Sequence, residues 1–314
     1  MYRPCFLTIA MIAACSGGEG NSTRQPDAAG GATGRLVVTI TSGEDPTMEV
    51  EARFLSYRGF DEVSANGLAN GLVGAQYFPA GSLVSGGCTR LDSDYREHLV
   101  EDALSSASPE SSVQLLDAGE IVAKTGNERS GLLLPRYLPE IMPLVSGVLY
   151  ETQRIPLAGD GFLPFDDNED GAVVLSGTGG DEVGRFAVTA SIPRPPRIIA
   201  VAGTNAGEAF VHEHEHDLEV EWSAPAPSSE EQVVLSVSVA GSEWTGELRC
   251  RLEGDPSADT QHTLIDRTML LGIAPGSVLG VAIDRLAQSS FTAAGLGHAE
   301  LEIRVRDVVT GTAR

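Results

Sequence analysis

Three stretches of the chain combine residue types and spacing that could do chemistry. The first is Val211-His212-Glu213-His214-Glu215-His216-Asp217. In an extended segment alternate side chains share a face. His212, His214 and His216 would then lie together, on the face continued by Leu218, Val220 and Trp222. Neutral imidazole is a good zinc ligand, so this face is a candidate zinc site near a strand end. The alternative is a polar, flared strand end with solvated imidazoles. Apart from these three, the histidines are His98, His262 and His298, and none is placed by spacing as a further ligand. The opposite face, Glu213, Glu215, Asp217, Glu219 and Glu221, is acidic. Arg304 and Arg306 are its expected cross-strand partners.

The second stretch is Asp166-Asp167-Asn168-Glu169-Asp170-Gly171. Asp166, Asn168 and Asp170 followed by glycine match the opening of a calcium loop, in which alternate oxygen side chains converge on the ion. The twelfth position is Gly177 rather than Glu, which argues against an EF-hand. Asp181 or Glu182 could supply an oxygen from the next turn. The alternative is an acidic loop that holds no metal. Calcium or zinc is thus the cofactor these residues would take, if any.

The third is Ile12-Ala13-Ala14-Cys15, closing the uncharged, largely apolar run Cys5–Ala14 behind Arg3. The run has signal-peptide length and is too short to cross a bilayer as a helix. Its end resembles the bacterial lipoprotein signal, an aliphatic residue, two small residues and a cysteine. That resemblance implies cleavage before Cys15 and its modification by a thioether diacylglycerol and an amide-linked acyl chain such as palmitate, enough for stable anchoring. Ser16 leans toward the outer membrane. Residues 16–34 are mostly Gly, Ser, Ala, Thr, Asn and Pro, with Glu19, Arg24, Gln25 and Asp27 among them, lack apolar periodicity and read as a flexible tether.

Cleavage removes 14 of 314 residues, including Arg3, and leaves a chain more acidic than its formal charge of −23. Such a surface repels nucleic acid. The expected partners are the membrane through the anchor, envelope proteins and glycans. Of the four cysteines, Cys5 leaves with the signal and Cys15 is lipidated. Cys88 and Cys250 either form a disulfide, which the envelope permits, or stay as two buried thiols.

The elements that must position these residues are short strands. Expected strands are 35–41, 48–57, 121–123, 131–134, 145–150, 172–175, 186–192, 197–201, 233–239 and 301–306. A helix is expected within 94–106 and a short helix or turn within 263–271. Pro193-Arg194-Pro195-Pro196 breaks the chain into regions 35–194 and 195–314. The fold class is all-β: two β-sandwich-like domains, the C-terminal one immunoglobulin-like, behind the lipidated tether.

Leu116–Ile121 and Leu175–Phe186 resemble stretches of bacterial envelope and secreted β-domain proteins that have no assigned activity. Glu219-Val220-Glu221-Trp222 and Cys250 are similar to the immunoglobulin-like module that follows in such proteins. The resemblance implies fold and envelope location only. The chain has no G-x-S-x-G, no H-E-x-x-H and no P-loop lysine. Trp222 and Trp244 could be glycan platforms, although Trp222 falls on the face expected to be core. The leading functional expectation is a non-catalytic envelope lipoprotein with a structural or interaction role. A metal-binding envelope protein comes second, and an envelope hydrolase, with no residues to assign, third.

Overall fold

The computed structural model describes residues 30–43, 45–73, 87–92, 101, 104–105, 107–125, 128–142, 145–150, 153–157, 171–225, 231–241, 246–252 and 260–314. Cys15, the calcium-loop residues Asp166, Asn168 and Asp170, and Trp244 lie outside them. The described residues are nearly all β, 62% of them in strands of several sheets, as a sandwich-type fold requires.

The strands in chain order are β1 (Gly30–Thr41), β2 (Thr47–Arg58), β3 (Cys88–Asp92), β4 (Ser112–Leu115), β5 (Ile121–Thr125), β6 (Glu128–Leu133), β7 (Pro135–Met142), β8 (Val145–Tyr150), β9 (Gln153–Pro156) and β10 (Ala172–Gly177). They continue with β11 (Phe186–Ser191), β12 (Arg197–Val201), β13 (Thr204–Asn205), β14 (Phe210–His212), β15 (Leu218–Ser223), β16 (Glu231–Ala240), β17 (Gly246–Leu252), β18 (Gln261–Ile265), β19 (Val278–Ser290) and β20 (His298–Ala313). Helix α1 spans Glu62–Val73. It starts where the Asp61 carboxylate accepts the Ser64 amide at 2.7 Å, and it buries Ala65, Leu68 and Ala69 beside β4.

One large sheet runs β3-β17-β16-β19-β20-β1-β2-β4-β8-β7, with β14 beside β20 and β9 beside β2. Two four-stranded sheets, β11-β10-β5-β6 and β13-β12-β15-β18, complete the layers. The first shares a core with β1, β2 and the first half of β20, through Leu36, Ile40, Phe54, Ile121, Leu175, Leu301 and Val305. The second shares a core with β16, β17 and β19, through Val220, Trp222, Leu235, Leu248, Val281 and Ile283. Edge strand β7 begins with Pro135 and contains Pro139, which is tolerated where no neighbour needs the missing amide.

The chain leaves the first core at Ile192 and enters the second at Ile198, on either side of the proline break. It then returns. Phe291, Ala293 and the odd residues Ala299 to Val305 belong to the first core, whereas Val309 and Ala313 belong to the second. The first sandwich is therefore not completed by residues 35–194 alone.

β1 begins at Gly30, inside the segment read as tether, and Gly30 to Gly34 pair with Arg58 to Phe54. Apolar periodicity is absent there because the neighbours supply the side chains. A Cβ on Gly31 would lie 2.6 Å from the Tyr57 hydroxyl, and one on Gly34 would lie 2.6 Å from Leu296 and 2.9 Å from Phe54.

At the seam between the cores, each shared strand carries one charge on its apolar face. Arg285 of β19 is 3% exposed and pairs with Glu231. It also donates to the Pro225 carbonyl at 3.0 Å and the Arg194 carbonyl at 3.5 Å. Asp307 of β20 accepts the Ile198 amide at 2.8 Å. Together they hold the crossing segment 194–198. Arg285→Met should lower unfolding free energy by about 3 kcal/mol, because it removes the guanidinium that pairs with Glu231 and serves two carbonyls; urea denaturation with Cm and m-value measures this.

Candidate functional site

The histidine stretch does not stay extended. β14 ends at His212, and the His216 amide donates to the Glu213 carbonyl at 3.0 Å, closing a turn before β15. Only His212 lies on a buried face, 2% exposed. His214 and His216 are exposed. His214 Nδ1 meets the Arg314 carbonyl at 2.8 Å, and His216 Nδ1 meets Glu213 Oε2 at 3.2 Å. The shared three-histidine face expected from a period of two is thus replaced by a turn. Among the described residues no group of three or more His, Cys, Asp or Glu gathers to hold a metal. Beyond the turn the period does hold: Leu218, Val220 and Trp222 are buried, and the Trp222 indole donates to Thr263 Oγ1 at 3.0 Å. Trp222 is core and no glycan platform.

Arg304 and Arg306 do not face the acidic positions of β15, which lies in a different sheet from β20. Glu219 instead lies 3.4 Å from His262, and Asp217 accepts the Arg267 amide at 2.8 Å, where a 3-10 turn, Arg267–Leu270, begins. The two arginines build a lattice on the far face of the large sheet. Arg306 forks onto Asp284, its register partner, at 2.6 and 2.8 Å. Glu302 accepts from Arg304 at 2.8 Å, Arg35 at 2.7 Å and Gln288 at 3.3 Å. Both carboxylates are almost wholly buried. Burial alone would raise them; Arg306 beside Asp284, and Arg304 and Arg35 beside Glu302, outweigh it and hold both below the usual carboxylate range.

A second polar cluster was not singled out by spacing. The two stretches that carry the envelope-protein resemblance dock on each other. Val183 donates to the Asp117 carbonyl at 3.0 Å, Gly179 to that of Ala118 at 3.1 Å, and Thr178 to that of Glu120 at 2.9 Å. Glu182 Oε2 accepts the Asp117 amide at 2.7 Å. Asp117 accepts the Gly119 amide and the Tyr137 hydroxyl, each at 2.7 Å. The Tyr150 hydroxyl accepts the Ala118 amide at 2.8 Å and donates toward the Gly119 carbonyl at 3.0 Å. Gly119 has φ of +70°, and a Cβ there would lie 2.4 Å from the Gly179 carbonyl oxygen. Burial, opposed by the Ala118 amide and reinforced by Asp117, pushes the Tyr150 phenol far above its ordinary value, so it stays a proton donor. The turn residues Leu116-Asp117-Ala118-Gly119 and Gly177-Thr178-Gly179-Gly180-Asp181-Glu182 were the sequence signal for this lock. Its carboxylates are engaged by backbone amides and phenols, an arrangement that fixes two turns.

Cys88 and Cys250 form a disulfide across β3 and β17, with Cα atoms 4.0 Å apart and a sequence separation of 162. His298 lies 2.9 Å from Glu300. No helix among the described residues is long and apolar enough to cross a membrane.

No protein-family model and no curated protein matches the chain. Among solved structures it is similar to the mu homology domain of Fcho1 from Danio rerio with bound Eps15 peptide, at 9% identity over 92% of this chain and 98% of that one. The TM-score of 0.20 is too low for that likeness to carry an argument.

Two pH effects follow. Glu302 and Asp284 titrate below their unfolded values near 4. The stability they contribute is present above about pH 4 and is lost as pH falls through their folded values. Urea midpoints between pH 2 and 7 should show this acid loss, shallower in Glu302→Gln, which should also cost about 3 kcal/mol at pH 7. His212 is also shifted downward, by a different cause: burial first, then His216 and His214, lower its imidazole. The unfolded chain therefore binds the extra proton just below about pH 6.5. Stability should fall as pH drops from there toward the folded value, and His212→Gln should flatten that part of the curve.

Proposed function

We propose that this protein is a lipid-anchored bacterial envelope protein, held to the outer membrane through Cys15, with a structural or interaction role rather than catalysis. The observation that carries the reading is Ile12-Ala13-Ala14-Cys15 at the end of a signal-length apolar run. The Gly/Ser/Ala-rich segment that follows spaces a β-sandwich body from the bilayer. The disposition of polar groups supports a role in binding or scaffolding. The buried carboxylates of the large sheet pair with arginines, those of the turn lock hold backbone amides, and the histidine stretch folds into a turn. The partners that suit such a body are envelope proteins or glycans. Its net charge of −23 disfavours nucleic acid.

The test is cell fractionation with a Cys15→Ser variant. Wild-type protein is expected in the membrane fraction, labelled by a palmitate analogue and extracted only by detergent. The variant is expected in the aqueous fraction, without label and with an unchanged circular dichroism spectrum. A variant that remains membrane-bound as before sinks the reading.

A further inference from the structure

We propose that the Cys88–Cys250 disulfide is a reducible latch. It fixes β3 on the edge of the large sheet, and its reduction opens the hydrogen-bonding edge of β17. Topology is the first ground. β3 comes from the first half of the chain, yet it stands at the end of the run β17-β16-β19-β20, with four strands between it and β1. It is five residues long and, among the described residues, pairs only with β17. Besides that ladder, Arg90 Nη1 donates to the Leu271 carbonyl at 2.7 Å, and Leu91 is buried. So short an edge strand, brought across the sheet, depends heavily on a covalent tie.

Register and access supply the rest. The Arg251 amide donates to the Gly87 carbonyl at 3.1 Å. That makes Gly87–Arg251 a hydrogen-bonded pair and Cys88–Cys250 the adjacent non-hydrogen-bonded pair, where strands approach more closely. By the same alternation, the amides of Glu247, Arg249 and Arg251 point at β3, and those of Leu248 and Cys250 point at β16. Cys88 is exposed, whereas Cys250 is 2% exposed. A dithiol reductant can therefore attack at Cys88 Sγ. One reductant sulfur bonds to Cys88 while the Cys250 sulfur leaves and takes a proton. The second reductant sulfur then closes its own disulfide and releases Cys88 as a thiol. Two electrons and two protons pass from the reductant to the two cysteines. Among the described contacts β3 is then held by its short ladder, Arg90 and the buried Leu91, and the outward amides of β17 become an open edge able to accept a strand.

The test is amide hydrogen exchange by NMR on the full chain, with and without dithiothreitol in the absence of denaturant. Cys88 and Cys250 are expected to become alkylatable. Exchange at Glu247, Arg249 and Arg251 should rise at least tenfold, with Leu248, Cys250 and the amides of β19 unchanged. Cys88→Ser/Cys250→Ser should show the same pattern without reductant. The proposal is overturned if the bridge resists reduction until the whole chain unfolds. It is equally overturned if those three amides stay protected once the cysteines are free, or if the double variant keeps the oxidised pattern. Should the double variant fail to fold, the wild-type comparison alone decides.

Discussion

β20 must serve two hydrophobic cores, and β19 leads from the second core to Phe291 of the first; the rest of the architecture depends on how this seam is closed. A continuous apolar face would let the two covering sheets slide along the shared strands, since burial is roughly proportional to area and has no direction. Arg285 and Asp307 remove that freedom. Each places a charge where one core ends and the other begins, and each binds the crossing segment, Arg285 at the Arg194 carbonyl and Asp307 at the Ile198 amide, while Arg285 also reaches the Pro225 carbonyl just after β15. Hydrogen bonds are short-ranged and directional, so they fix a register that apolar contact leaves loose. The cost of burying a guanidinium is offset by Glu231 and the two carbonyls.

The same division of labour recurs away from the seam. Asp284 and Glu302 are buried on the face of the large sheet opposite the two shared cores, each held by arginines that its own strand or a neighbour supplies. Asp117 and Glu182 tie the turn after β4 to the turn between β10 and β11. In a chain of formal charge −23, these carboxylates serve as fixed points of structure.

Much of this was legible and some was not, for reasons that can be located. Val145–Tyr150 and Arg197–Val201 are found at their expected bounds, because β-branched runs ended by turn residues leave little ambiguity. The even face of β15 also held; in β16, Val233, Leu235, Val237 and Val239 share one core, while Val234 and Ser236 on its other face are buried too. β19 was not anticipated, because Asp284-Arg285 reads as a polar interruption; one side chain serves the lattice and the other the seam. α1 was not anticipated because Gly67 and Gly71 blur its helical stripe. The glycines opening β1 looked like tether because tertiary neighbours fill the space that side chains would take. The histidines failed differently. A period of two presumes an extended chain, and nothing local to residues 212–216 announces the turn at Glu213. The pairing of Arg304 and Arg306 was assigned to the wrong strand because alternation shows which way a side chain faces and is silent about the neighbour it meets. The expected helix within 94–106 is represented by Glu101, Leu104 and Ser105, which are helical.

β1 is flanked on one side by β2, its immediate successor in the chain, and on the other by β20, with Thr33 opposite His298 and Thr41 opposite Arg306. That parallel pairing sets an order of events. The β1–β2 hairpin can form early, but its outer edge stays open and its core face uncovered until residues 298–306 have been made. Contacts of such large sequence separation form slowly, and until they do the chain exposes unpaired strand edges. The first sandwich cannot lock before residues 298–306 emerge, so β1 and β2 must wait, half-covered, while the second core between them and that strand is laid down.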